Sequence, residues 1–390
     1  MKLVYTSDNY FFQTNDGRFW SSTSFPIDFI LKKLPEISHW TFWGRIKKVD
    51  DSSSLYLLPD KVNGCLVSYA GPLVKRRNQL LWPLWIAKSF LSFKRELASA
   101  DIIFLKMPYL FSCIASYMLR KGQVIISQQV GDPAATIPLM MPKLKLLGSV
   151  IARYCEKVAS RADRAFFVSN ALRNIYGDIQ RGDIVCNESR VTIDMIVENP
   201  GILPHHPARI IFVGRLSIEK GLEVLLQAIA EVKKDIAVEL WIIGEGPFKS
   251  PLKRLAGTLG VTDDIKWLGR LRWGSQLFEK IAEADTLVLP SYSEGLGLVL
   301  IEGMSQGLLT IGSSVGGIPE VLDDGKCGIL VPPGDYKALA AAIKFSVTNI
   351  TFRRSLIEKG IAKAKENCLE NQAGVLASNI HRLIEAQKRT

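Results

Sequence analysis

The sequence predicts two α/β domains in tandem, each a parallel sheet covered on both faces by helices. Three observations carry that reading. At 390 residues the chain exceeds what one core of ordinary size organises and implies two domains of roughly 150 to 200 residues. Short unbroken apolar runs alternate with stretches of helical periodicity along both halves, the pattern of strands buried on both faces. Around residues 200–207, PGILPHHP, three prolines and a glycine interrupt all periodicity and mark a linker. Residues 1–203 are therefore assigned to an N-terminal domain, 204–371 to a C-terminal domain and 372–390 to a final helix.

A content of 47% apolar and 22% charged residues belongs to a folded chain. The net charge of +11 is uneven: residues 1–203 carry 26 Lys/Arg against 17 Asp/Glu, so nine of the eleven excess charges lie in the first half. That asymmetry implies an anionic neighbour. Nothing resembles a zinc finger, a cold-shock domain or an RNP motif, so nucleic acid is excluded in favour of an anionic membrane surface. The six cysteines (65, 113, 155, 186, 327 and 368) show no CxxC spacing and read as reduced core residues of a cytoplasmic protein, without metal. The opening MKLVYTSDNYFF lacks a signal-peptide core, and Lys88, Lys106 and Arg120 interrupt the richest apolar regions before a spanning length is reached. The expected location is cytoplasmic, peripheral on the inner face of the cytoplasmic membrane.

In the first half, strands are expected at residues 3–6, 40–43, 65–67, 102–105, 124–126 and 165–168. The loop after the first contains Asp16, Gly17 and Arg18, and a helix follows over residues 25–34. Two helical stretches mix basic and large apolar residues. Residues 75–95, KRRNQLLWPLWIAKSFLSFKR, hold Leu80, Leu81, Trp82, Trp85, Phe90 and Phe93; residues 138–153, PLMMPKLKLLGSVIAR, hold Met140, Met141, Leu144 and Leu147. Tryptophans among lysines suit a lipid headgroup boundary; the competing reading is an ordinary amphipathic helix on a sheet. The strand beginning at Val124 ends in QQVGDP, where α/β sheets place ligands. Asp132 there either faces an acceptor hydroxyl or starts a turn before Pro133.

In the second half, a strand over residues 209–213 leads through GRLSIEKG into a helix over 222–233. Arg215 and Lys220, five apart across this turn, can both reach a diphosphate, one as a fork and one as a point charge. Strands are expected at 238–243, 265–268 and 287–289, with GEGP closing the first and Glu245 as a turn acid. Residues 287–320, LVLPSYSEGLGLVLIEGMSQGLLTIGSSVGGIPE, run from strand through a turn with Glu294 into a helix carrying Glu302. Gly295 and Gly297 let the backbone approach a ligand and leave free N–H groups at the helix start, a ready anion site. A carboxylate beside an anion site makes sense when the ligand carries both phosphate and hydroxyls, as a sugar nucleotide does.

With those residues in view, the second half resembles the retaining family-4 glycosyltransferases of the GT-B fold, two Rossmann-like α/β domains facing each other across a cleft. The resemblance covers residues 208–345 and rests on FVGRLSIEKG, the GEGP turn, the acid pair of EGLGLVLIE, SSVGGIPE and DGKCGILVPPGD in order. It implies that Arg215 and Lys220 hold the donor's diphosphate with backbone N–H groups near Gly297, Leu298 and Val299. It further implies that Glu302 binds the ribose and Glu294 acts beside the donor sugar, with no cofactor and no metal. The last helix of this fold crosses back to the first domain. The family usually shows a Gly-Gly pair in the first loop, where this chain has Asp16-Gly17. Many members carry a His after the strand that here ends in QQVGD, which leaves Gly17, Gln129 and Asp132 as acceptor-side candidates. The expected activity is metal-independent transfer of a sugar to a hydroxyl of a glycan or lipid-linked oligosaccharide in surface polysaccharide biosynthesis. The alternatives are a sugar-nucleotide epimerase of the same fold and a non-catalytic binding protein derived from it.

Overall fold

The computed structural model describes residues 1–21, 27–50, 52, 55–72, 82–178 and 182–389, the side chains of 82–88 excepted. Its first sheet runs Ile184–Val185, Arg164–Phe167, Val124–Gln129, Ile102–Met107, Lys2–Gln13, His39–Lys48, Cys65–Ala70, all parallel, with Lys61–Val62 antiparallel at the edge. The order reverses beside the first strand, between Lys2–Gln13 and Ile102–Met107, which opens a crevice at their C-terminal ends. All six residues of Ile102–Met107, Lys106 included, are buried.

The first strand is twice as long as its apolar run suggests. Its register with His39–Lys48 shifts between Thr6 and Tyr10, and beyond this irregularity Phe11 is fully buried again. The polar Ser7, Asp8 and Asn9 fall at the shift, so a strand reads there as a loop. The extension pairs with Phe19–Ser21, which pairs with Tyr56–Leu57. Gly17 sits in the exposed turn of this hairpin, at φ +86°.

The second sheet is parallel throughout and runs Ile265–Gly269, Val238–Ile243, Ala208–Val213, Thr286–Leu289, Leu309–Ser313, Ile329–Val331. Its order reverses between Ala208–Val213 and Thr286–Leu289. The two segments that leave those strands, starting at Gly214 and Pro290, are the ones that carry Arg215, Lys220 and Glu294.

Helix Leu369–Arg389 lies on the first domain: Ala377, Ile380 and Ile384 share one core with Leu3, Tyr5 and Phe104, and Gln387 donates to the Gly122 carbonyl at 2.6 Å. Before it, the buried Arg353 donates to the carbonyls of Ile202 and Asp285 at 2.8 and 2.7 Å, tying the linker to the second domain.

The stretch expected as one helix over residues 138–153 is two, Pro133–Met140 and Lys145–Arg161. Pro142 lacks the N–H that a continuous helix would use. Helix Trp82–Ala98 covers part of the other basic stretch; residues 75–81, and the side chains of Trp82 and Trp85, lie outside the described residues, as does Phe25. Among the described residues no helix is long and apolar enough to cross a membrane.

Candidate active site

The two crevices face each other, and between them lies a cavity of about 360 Å³ lined by Val130, Val168 and Glu188 of the first domain and by Gly214, Arg215, Lys220, Glu294 and residues 295–299 of the second. Arg215, Lys220, Glu294, Gly297, Leu298 and Val299 thus meet at one place.

Each is positioned by local chemistry. Gly221, at φ +62°, closes the turn after Lys220; a Cβ there would lie 2.1 Å from the Pro290 carbonyl oxygen, so the two segments that carry Lys220 and Glu294 are pressed backbone to backbone. Gly316, at φ +53°, does the same on the other side, where a Cβ would lie 1.8 Å from the Glu294 carbonyl oxygen. This explains why the SSVGGIPE turn belongs to the site without supplying a ligand-facing side chain.

Lys220 Nζ donates to Glu294 Oε2 at 2.5 Å, and the Ser291 hydroxyl donates to the same oxygen at 3.2 Å. Both partners are about four-fifths buried, so the pair is screened far less than a surface pair. Among the described residues no group donates a hydrogen bond to the other Glu294 oxygen, Oε1. Helix Leu298–Ser305 begins at Gly297 in a left-handed conformation. The N–H groups of Leu298 and Val299 open its first turn, where no preceding carbonyl can satisfy them.

Arg215 is held differently. Its guanidinium donates to Glu219 Oε1 at 2.6 Å and to the Ser217 hydroxyl at 3.3 Å. Burial pulls the Glu219 carboxyl upward, but the Ser217 hydroxyl, a backbone N–H and Arg215 outweigh it and hold the group below its ordinary value. Glu219 is therefore an anion that fixes the arm of Arg215, a role sequence reasoning missed. Its signal was available in the Arg-to-Glu spacing of four.

Glu302 does not line the cavity. It lies one turn along the same helix and accepts from Trp273 Nε1 at 2.9 Å. Burial raises its carboxyl above the ordinary range, with Arg190 and Trp273 opposing. Arg190 stacks on the Trp273 ring at 4.8 Å, and Arg272 on Tyr56 at 4.1 Å. These contacts bring the two domains together beside Glu302.

The acceptor-side expectations fare otherwise. Gln129 is fully buried and its amide donates to the Cys155 carbonyl at 3.4 Å. Asp132 caps helix Pro133–Met140 by accepting from Ala134 N at 2.8 Å, and also accepts from the Tyr176 hydroxyl; of its two readings the turn starter is the one the geometry displays. Gly17, Gln129 and Asp132 line neither this cavity nor the one described below. Glu245, read as a turn acid, pairs with Lys249. Two contacts across the cleft were not legible: Glu320 accepts from the backbone and side-chain N–H groups of Asn170 at 2.6 and 2.7 Å, and Thr136 meets Ser293 at 3.0 Å.

Residues 198–363 match the family model described as glycosyl transferases group 1. Among curated relatives, a lipopolysaccharide core biosynthesis glycosyltransferase of Rhizobium meliloti is 31% identical over 148 residues, 38% of this chain and 42% of that protein. The matched stretches span between 24% and 46% of the relatives' own lengths. Solved structures match along the whole chain. The sucrose-phosphate synthase of Thermosynechococcus elongatus superposes with a TM-score of 0.74 at 18% identity, covering 99% of this chain and all of that one. Anabaena HepE in complex with UDP-glucose does so with 0.67 at 18%, covering 98% and 99%. At such identities these structures establish the GT-B fold.

Proposed function

We propose that the chain is a group 1 glycosyltransferase, the family whose model matches residues 198–363, and that it moves a sugar from a nucleotide-diphosphate sugar to a hydroxyl acceptor with retention of anomeric configuration. The observation that carries this reading is the convergence of Arg215, Lys220, Glu294 and the helix start at Leu298 on one interdomain cavity. In the proposed reaction the bond between the anomeric carbon and the diphosphate oxygen breaks while the acceptor oxygen bonds to the same face of that carbon. The acceptor's proton passes to the leaving oxygen, giving the glycoside and a nucleoside diphosphate. Arg215, Lys220 and the N–H groups of Leu298 and Val299 stabilise the charge growing on the diphosphate, without a metal. Glu294, oriented by Lys220 and Ser291, faces the sugar; Glu302 takes the ribose hydroxyls. HepE holds UDP-glucose in the same fold, which makes UDP-sugars the first donors to test.

The acceptor is proposed to be a glycan or lipid-linked oligosaccharide of a surface polysaccharide, met at the cytoplasmic face of a membrane. A sequence relative named for lipopolysaccharide core biosynthesis supports the acceptor class, and the surface supports the location. Helix Lys145–Arg161 buries Gly148, Ala152, Cys155, Val158 and Ala159, yet Leu146 and Val150 are 83% and 62% exposed, next to exposed Met140, Met141, Leu144 and Leu147. An ordinary amphipathic helix would not turn that many large apolar side chains to water. Lys143 and Lys145 among them supply attraction to anionic headgroups.

A thermal-shift screen of nucleoside diphosphates and their sugars tests the donor half, since a ligand at 100 times its Kd adds about 2.7 kcal/mol of stability. No stabilisation by any nucleotide would defeat the proposal. Conversion of a donor to its epimer with no acceptor present would favour an epimerase instead.

A further inference from the structure

A second cavity, of about 260 Å³, lies beside the first and shares Glu188 and Leu298 with it. Its walls include the aromatic rings of Tyr5, Trp40 and Phe42 and the cation of Lys106. Lys106 is 8% exposed and holds Glu188 in a two-pronged pair, Nζ to the two carboxylate oxygens at 2.6 and 2.8 Å. Burial pulls this ammonium down, but Glu188 and the neighbouring tyrosines outweigh it and hold it above its ordinary value. The pair is thus a fixed cation anchoring a carboxylate at the junction of the two cavities.

From this arrangement we infer that the second cavity is a subsite for a neutral, polyhydroxylated ring, the sugar unit of the acceptor, and that Glu188 is the positioning residue that accepts a hydrogen bond from its hydroxyl. The inference rests on the transferase reading above. Four features carry it. The attacking hydroxyl must stand in the first cavity while the body of the acceptor lies outside it, so a polar group shared by both spaces is placed to orient that hydroxyl. The Tyr5, Trp40 and Phe42 side chains give the cavity an apolar wall of the kind that suits the C–H side of a sugar ring. Among the described residues, the indole N–H of Trp40 and one guanidinium nitrogen of Arg190, which also belongs to this cavity, are buried without a hydrogen-bond partner, and buried donors left unpaired call for an oxygen-bearing ligand or water. Finally, the volume is near the lower end of small-ligand sites, about 300 Å³, which suits one ring rather than a chain of them.

The reading assigns the acceptor to residues that the first-domain loops did not advertise. Glu188 lies 82 residues from its partner, and Lys106 is a lone charge inside an apolar strand.

The test uses the full chain and the indole N–H signals of its eight tryptophans, with Trp40→Phe identifying the signal of interest. Methyl α-glucoside, methyl α-galactoside and methyl α-mannoside are titrated separately, and UDP binding is followed by calorimetry. The expected result is that at least one methyl hexoside moves the Trp40 signal, that Glu188→Gln weakens this binding tenfold or more, and that UDP affinity changes less than twofold. If no methyl hexoside moves the Trp40 signal while UDP binds normally, the cavity holds only water and the inference is overturned. If Glu188→Gln weakens UDP as much as it weakens the sugar, Glu188 belongs to the donor site and the inference is again overturned. Failure of the native chain to bind any nucleotide, with the hexoside response intact, would defeat the transferase proposal and leave a sugar-binding pocket.

Discussion

Replacing Lys220 by Ala removes the one cation that touches Glu294 among the described residues, and the structure indicates how much that should cost. The ammonium lies 2.5 Å from Glu294 Oε2 with both side chains mostly out of water. Two unit charges about 4 Å apart interact by ~4 kcal/mol at an effective dielectric of 20, which bounds what this cation can offer a diphosphate oxygen. Loss of one stabiliser of developing charge typically costs ~2.7–4 kcal/mol of barrier, or about 10²–10³ in kcat. The fold should suffer less, about 1–3 kcal/mol, because the pair is intermediate between an exposed bridge and a fully buried one and Ser291 still donates to the stranded carboxylate. The assay is initial-rate kinetics with the donor found by the thermal screen, together with urea unfolding to confirm a native fold. A smaller fall in UDP affinity than in kcat is expected, since the charge on the leaving group grows as the bond breaks. Lys220→Arg should recover part of the loss. A folded Lys220→Ala variant with kcat within about threefold of the native value would refute the placement of this cation on the leaving group.

Other outcomes follow from single contacts. The Glu302 carboxyl is raised by burial, so it takes up a proton sooner than an ordinary glutamate as pH falls, and UDP affinity should drop on the acid side at a higher pH than a free carboxylate would give. Trp273→Phe removes a hydrogen bond to the ionised form and should move that drop further up, as calorimetry over a pH series would show. Gly316→Ala should lower both stability and kcat because its methyl has no room against the Glu294 carbonyl. Gly257→Ala, in helix Lys249–Thr258 with open space around it, should be neutral or stabilise by up to ~1 kcal/mol in the same urea experiment. Arg353→Met strands the carbonyls of Ile202 and Asp285 and should cost about 3 kcal/mol of unfolding free energy. Leu146→Asp combined with Lys143→Glu should abolish flotation with anionic liposomes at low salt and leave the thermal shift with UDP intact; persistent binding would move the membrane contact elsewhere.

The core strands were legible because strands covered on both faces are apolar along their buried run, as residues 102–105, 210–213 and 240–243 are. The backbone frame of the interdomain cavity was legible for a related reason: close backbone approach demands glycines, and Gly221, Gly297 and Gly316 leave a fixed imprint in the sequence. The second half of the first strand was hidden because Ser7, Asp8 and Asn9 occupy a register shift that mimics a loop. The split at Pro142 was visible in principle but was overridden by a continuous apolar-basic pattern. Acceptor-side chemistry was least legible. Gln129 and Asp132 stand where ligands often bind, yet the fold spends them on the Cys155 carbonyl and on a helix cap. Lys106 and Glu188 meet only through tertiary structure, and neither has a local motif to announce it.

A crystal structure of the chain with UDP or the UDP-sugar chosen by the screen tests the central claim most directly. The diphosphate is expected in the interdomain cavity, its oxygens within hydrogen-bond distance of Arg215, Lys220 and the N–H groups of Leu298 and Val299, with the ribose on Glu302 and the sugar on Glu294. A nucleotide bound outside that cavity, or one whose phosphates touch neither cation, would contradict that claim.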